Sequence, residues 1–157
     1  MAGSSWRLMA ELVTLRDVVS DDIPVFFEYQ LDPEAGEMAS FPARSWDAFT
    51  THWGRILDDD TTVNQTVLVG GRVAGNIASF LQDGEREVGY WLGREFWGRG
   101  IATQALAAFL TLEQRRPLYA HVVRHNTASR RVLEKCGFVL LAQEPEDFRL
   151  KLEAPHR

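Results

Sequence analysis

A chain of 157 residues has room for one domain and for a sizeable core without crosslinks, and 45% hydrophobic with 25% charged residues is the make-up of an ordinary globular protein. No apolar run is long enough to cross a bilayer, and a formal charge of −5 speaks against an extended nucleic-acid face, so neither a membrane nor a nucleic acid is expected as a partner. The single cysteine, Cys136, excludes an internal disulfide framework and fits a reducing cytoplasm.

Met1–Arg7 lacks the basic start and apolar run of a secretory signal, so residues 1–10 read as a loose leader to a single domain spanning 1–157. Glu11–Asp17 alternates apolar and polar residues and predicts a half-buried opening strand. Ser20 is placed to cap a helix in which Ile23, Phe26, Phe27, Gln30 and Leu31 keep helical spacing, and Asp32-Pro33 ends it. Glu34–Pro42 reads as irregular or as a short helix. Ser45 then caps a second helix carrying Trp46, Phe49, Trp53, Ile56 and Leu57.

From Thr61 the apolar period changes from helical to two, and three antiparallel strands are expected near 65–70, 72–82 and 85–92. Gly70-Gly71 and Asp83-Gly84 supply their tight turns, and Gly89 is expected to make a bulge in the third. A helix follows from about Ile101 to Gln114, with Pro117 marking its end. Leu118–Val123 predicts a strand, Asn126 caps a helix reaching Cys136, and Gly137 provides its stop. Phe138–Ala142 and Phe148–Leu152 read as closing strands whose exposed edges could pair two copies into a homodimer.

The richest stretch runs from Trp91 to Thr103, where an apolar strand enters a glycine turn and then a helix. Gly98 and Gly100 let the turn gather several N–H groups on one concave side, and the first N–H groups of the helix have no internal acceptor. With the helix dipole they form a cradle for an anion such as a pyrophosphate. A P-loop would need a closing lysine and hydroxyl residue, which Gly98-Arg99-Gly100-Ile101-Ala102 lacks, and a dinucleotide fingerprint wants a glycine where Thr103 stands. Those folds also begin on parallel strands, whereas three hairpin-linked strands come first here.

Three runs carry a family resemblance: Glu87-Val88-Gly89-Tyr90-Trp91-Leu92, Phe96-Trp97-Gly98-Arg99-Gly100-Ile101-Ala102-Thr103-Gln104-Ala105, and Asn126-Thr127-Ala128-Ser129-Arg130-Arg131-Val132-Leu133-Glu134-Lys135-Cys136-Gly137-Phe138. Together they resemble the GNAT superfamily of acyl-CoA N-acyltransferases, nearest its ribosomal-protein alanine N-acetyltransferase branch. The resemblance implies an α+β domain with a twisted, mostly antiparallel six- to seven-stranded sheet, about four flanking helices, and a splay between strands 4 and 5. It also implies acetyl-CoA as co-substrate, held by Tyr90, Trp91 and Leu92 of the fourth strand and by Gly98, Arg99, Gly100, Ile101, Ala102 and Thr103 of the turn and helix start. Transfer would go directly to a primary amine, either a protein N-terminus or a small molecule, with no metal. A main-chain N–H around Tyr90–Leu92 would stabilise the oxyanion. The two early helices would wall the acceptor pocket.

Two positions depart from the family pattern. Its leading glutamine or arginine falls on Glu95, with Arg94 one place too early, a change that main-chain binding of pyrophosphate can absorb. A tyrosine that many relatives carry falls on Leu133, so the leaving thiolate needs another donor. Ser129 resembles the serine of the ribosomal-protein branch and can donate there; its plainer reading is support of the helix start. The family's asparagine contacts the cofactor, which gives Asn126 a role beyond capping, and Arg131, more than Arg130 or Lys135, could meet the adenosine phosphates.

The acceptor poses the larger proton problem, because a lysine-type amine costs roughly 4.6 kcal/mol to deprotonate at pH 7, against little more than about 1 for an α-amine. Glu87 is the candidate base, acting directly or through water, with a solvated strand carboxylate as the plainer reading. Glu28 and Glu37 stand in reserve. His121 and His125 fall on a strand and its turn without an evident third ligand, so a metal is not expected. His52, Trp46 and Trp53 read as core or pocket lining. The expectation is therefore an N-acetyltransferase; the alternative is a non-catalytic acyl-CoA-binding sensor.

Overall fold

The structure, a computed structural model, describes residues 12–154, so the expected leader and Glu11 lie outside the described residues. Strand β1 (Val13–Asp17) is followed by helices α1 (Asp22–Gln30), α2 (Pro33–Ala39) and α3 (Trp46–Asp58). Strands β2 (Val63–Val69), β3 (Arg72–Gln82) and β4 (Glu85–Leu92) form the meander, and a 3-10 turn (Arg94–Phe96) leads into α4 (Ile101–Leu112). Strand β5 (Leu118–Val123), helix α5 (Thr127–Lys135) and strands β6 (Val139–Gln143) and β7 (Asp147–Leu152) complete the chain. The seven strands lie in the order β1-β2-β3-β4-β5-β7-β6, antiparallel except for the β4–β5 pair.

That parallel pair opens the sheet. Glu87 and Tyr119 are its one paired position, so β4 from Val88 to Leu92 runs without a ladder partner on the β5 side. Helices α4 and α5 cover one sheet face. There Ile101, Ala105, Leu106 and Phe109 of α4 pack against Ile77, Leu118, Ala120 and Leu150 of the strands, all buried. On the opposite face Phe26, Phe49 and Trp53 of α1 and α3 make a second, smaller core with Val73 of β3. Truncating a ring as buried as Phe109 to alanine typically costs about 3–5 kcal/mol.

Several expected boundaries shift for identifiable reasons. Ser20 does not cap α1: the N-cap is Asp21, with no side-chain bond. Instead Asp22 tethers the first turn, accepting from the Val19 amide at 3.0 Å, from both Arg16 nitrogens at 2.7 and 2.9 Å, and from the Thr66 hydroxyl at 2.7 Å. Burial pushes this carboxyl up, but the Arg16, Val19 and Thr66 hydrogen bonds outweigh it and bring its pKa to about 2.

Gly89 forms no bulge, because β3 and β4 keep continuous register from Gly75↔Leu92 to Gln82↔Glu85. The irregularity lies between Val67 and Leu68, opposite Gly75 and Val73 of β3. There the close approach is at Gly75, where a Cβ would lie 2.0 Å from the Trp91 carbonyl. Helix α2 resolves the ambiguous Glu34–Pro42 segment, opening on Asp32, whose side chain accepts from Glu34 N–H at 3.0 Å. Among the described residues the sheet is thus flanked by five helices, where the family resemblance implied about four. Helix α4 stops at Leu112 because Glu113 turns inward to accept from Ser79 and, at 2.7 Å, from Arg115. Burial raises the Glu113 carboxyl, and those donors overcome it to leave a pKa of about 2. Ser45, Asn126 and Gly137 hold the positions their chemistry predicts: two side-chain caps and a left-handed stop with φ of 98°.

Candidate active site

Past Leu92 the chain is pinned before it turns. Gly93 N–H donates to the Ala74 carbonyl at 2.8 Å, Trp97 Nε1–H donates to the Leu92 carbonyl at 3.1 Å, and Phe96 is buried. Gly98 and Gly100 then take φ of 71° and 74°, left-handed values that any other residue would adopt under strain. A Cβ at either would meet nothing within 4 Å, so both face open space. Gly100 is the N-cap of α4 and has no side chain to cap it, so among the described residues the first N–H groups of the helix have no capping side chain and lie at the positive end of the dipole. Glu95, at the departing family position, is engaged elsewhere, with its carboxylate 3.0 Å from Arg72. Arg94 pairs with Asp32 and Glu34 at the start of α2.

This cradle opens into a groove of about 490 Å³. Its floor is Tyr90, Trp91 and Leu92; one wall is Ala35, Met38 and Ala39 of α2, and the other is Asn126, Ser129, Arg131, Val132 and Lys135 of α5 and its cap. Every cofactor residue expected from the sequence borders this space except Arg99, whose guanidinium donates to the Glu95 carbonyl at 3.1 Å. Asn126 Oδ1 accepts from Ser129 N–H at 3.1 Å, so it caps α5 while also bordering the groove. Arg130 faces Glu134 and the Phe148 ring instead. The α2 wall escaped the sequence reading, although Ala35, Met38 and Ala39 keep the i, i+3, i+4 spacing that would have shown it.

Two side-chain pairs flank the gap between β4 and β5, one on each sheet face. On the α4–α5 face the hydroxyls of Tyr90 and Ser129 are 2.8 Å apart. Burial pushes the Tyr90 phenol up, with the Ser129 bond opposing it, so it is held in the protonated form at neutral pH. Leu133 is buried in the core, yet a tyrosine hydroxyl reaches this place from the strand. Alternation along β4 puts Tyr90 on the same face as Val88 and Leu92, the signal that could have found it.

On the other face Glu87, 7% exposed, lies opposite Phe80 of β3 and Tyr119 of β5, and its Oε1 is 2.8 Å from Nδ1 of His121. His125 is elsewhere engaged, donating from Nε2 to the Glu37 carbonyl at 2.8 Å. Among the described residues no group of three or more His, Cys, Asp or Glu is arranged to hold a metal ion. Trp53 belongs to the second core, its ring centroid 5.1 Å from that of Phe26, and burial lowers the His52 imidazole with Arg44 and Arg55 adding to the effect.

The family model described as acetyltransferase (GNAT) domain matches residues 13–139. The uncharacterized N-acetyltransferase p20 of Bacillus licheniformis is 27% identical over 146 residues, covering 83% of this chain and 81% of that protein. Spermidine N-acetyltransferase from Vibrio cholerae, solved with CoA and spermine, superposes with a TM-score of 0.79 at 16% identity, over 90% of this chain and 95% of that one. A ribosomal L7/L12 alpha-N-protein acetyltransferase in complex with coenzyme A gives 0.76 at 21% identity, over 90% and 94%. These structural likenesses establish the shared fold.

Proposed function

The chain belongs to the GNAT acetyltransferase family, and from that premise we propose that it transfers an acetyl group to a primary amine by direct attack within a ternary complex. It is an acetyl-CoA-dependent acyltransferase. The observation that carries the mechanism is one groove running from an uncapped glycine cradle to a gap in the sheet flanked by a hydroxyl pair and a carboxylate.

At the cradle the N–H groups around Gly100–Thr103 bind the pyrophosphate, with Arg131 adding charge from α5. The acyl arm lies along β4. A main-chain N–H between Tyr90 and Leu92, on the strand stretch that has no ladder with β5, donates to the carbonyl oxygen as it gathers negative charge. Ser129 donates to the departing sulfur, and Tyr90 supports that hydroxyl from behind. A thiol with a reference pKa of about 8.5 needs only roughly 2 kcal/mol of help at pH 7, which a hydrogen-bond donor can supply. Glu87 serves the acceptor side, where an ammonium must lose its proton before it can attack.

The acceptor is an amine of a small molecule or of a protein N-terminus. The neighbour solved with spermine and the one named for a ribosomal protein support one class each, and the net charge of −5 suits any of these cations. Incubation with acetyl-CoA and a panel of N-terminal peptides, polyamines and aminoglycosides, followed by free-thiol release, tests the proposal. Turnover on one class identifies the acceptor. Saturable binding of acetyl-CoA with no turnover on any amine would instead assign the chain as a sensor of the cofactor.

A further inference from the structure

We propose that His121 takes the acceptor's proton, with the buried Glu87 carboxylate holding its imidazole from behind. This rests on the amine-acetylation reading and deepens it, since that reading places only Glu87 on the proton path.

A carboxylate oxygen can only accept a hydrogen bond, so at 2.8 Å from Glu87 Oε1 the proton of a neutral His121 sits on Nδ1. Its lone pair is then on Nε2, pointing away from Glu87. The Glu87 side chain is 9% exposed and that of His121 39% exposed, so the imidazole is the member of the pair that an incoming amine can meet. Glu87 also sits at the single β4–β5 pairing, where the gap begins, and His121 is two residues further along β5 on the same face. The Nε2 lone pair can take a proton, and an anion behind the ring stabilises the imidazolium that forms.

The surrounding charges leave the imidazole to its carboxylate. Arg149 of β7 stands across from His121 but is bound by Glu85 of β4 and lies over the Tyr119 ring. Lys151 of β7 is paired with Glu153 at 2.7 Å. From α2, Glu34 is taken by Arg94, and Glu37 meets β5's end through its carbonyl on His125. Arg86 with Glu113, and Arg130 with Glu134 on α5, occupy the opposite face. In the reaction the amine nitrogen bonds to the thioester carbonyl carbon and the C–S bond breaks. Starting from an ammonium, the two N–H protons that are lost pass in turn through Nε2 to water. The sulfur leaves as a thiolate held by the Ser129 hydrogen bond and takes one proton from water, so one proton is released overall.

The test uses the full chain with whichever amine the panel shows to be acetylated. His121→Ala is expected to lower kcat about 100-fold, with KM for acetyl-CoA changed less than about twofold and with added imidazole restoring part of the rate. His121→Gln, a milder change of shape, should lose the ascending limb of the pH–rate profile in the same way. Imidazole nitrogen NMR gives a readout independent of turnover: His121 should show the Nδ1–H tautomer, and Glu87→Ala should release that preference. An active wild type whose His121→Ala variant keeps its rate and pH profile would overturn the proposal and return the proton to Glu87. A His121 tautomer unmoved by Glu87→Ala would overturn the pairing. Absence of turnover by the wild type on every amine would overturn both this inference and the reading beneath it, an outcome distinct from the other two.

Discussion

The two ends of the groove are built from different material. At the cradle end the functional groups of the proposed site are main-chain N–H groups, set by the left-handed conformations of Gly98 and Gly100 and by the uncapped start of α4. At the gap end they are side chains drawn from separate elements: Tyr90 of β4 with Ser129 of α5, and Glu87 of β4 with His121 of β5. A main-chain cradle tolerates change in its neighbours' side chains, as at Glu95, but not a change of its own backbone conformation. The gap is the reverse, since one atom removed from a side chain alters the chemistry while the sheet stays as it was. Variants at the cradle should therefore move affinity for acetyl-CoA, and variants at the gap should move turnover.

Gly100→Glu puts this division to its hardest test. A side chain at φ of 74° is strained and a carboxylate repels the pyrophosphate, so calorimetry should show acetyl-CoA affinity reduced about 100-fold, or about 2.7 kcal/mol. Unchanged affinity would remove the cradle from the binding site.

Asp22→Asn acts away from both ends of the groove, loosening α1 from Arg16 and Thr66. Because the folded Asp22 pKa of about 2 is below the unfolded carboxylate value, its stabilisation is present above about pH 4 and is lost as pH falls towards the folded value. Thermal unfolding should show the variant about 2 kcal/mol less stable at pH 7, with the gap to wild type closing between about pH 4 and pH 2, while acetyl-CoA affinity holds. A stability difference that persists at pH 2 would contradict the ion pair as its cause.

Ser129→Ala should reduce kcat about tenfold, roughly 1.4 kcal/mol, and Tyr90→Phe about threefold, both read in single-turnover thiol release at saturating acetyl-CoA. If Tyr90→Phe weakened affinity and spared kcat, the phenol would belong to the cofactor's packing. The smallest effect is expected at Arg131→Ala, where the proposed, solvent-screened phosphate contact would be worth about 0.5–1 kcal/mol of acetyl-CoA affinity. Raising the salt concentration should erase most of it.

Much of the fold was legible because its signals are local. The turns at Gly70-Gly71 and Asp83-Gly84, the caps Ser45 and Asn126, and the stop at Gly137 depend on dihedral preferences and on hydrogen bonds a few residues apart. Where local rules failed, a tertiary partner had won. Ser20 lost the start of α1 to Asp22 because Arg16 and Thr66 supply a better-satisfied carboxylate, and α4 ended early because Glu113 found Ser79 and Arg115. The bulge expected at Gly89 is absent because its place opposite Ala78 needs none, whereas the crowding is at Gly75, under the Trp91 carbonyl.

By itself the sequence determined the meander, the glycine turn into a helix and the family they resemble, since each follows from residues adjacent along the chain. Only the tertiary structure decided which side chains share the gap. Tyr90 meets Ser129 across 39 positions and Glu87 meets His121 across 34, and neither pairing follows from spacing. Both depend on where β5 docks beside β4, and a parallel pair joined at one position and open beyond it is a product of packing helices on both faces of the sheet.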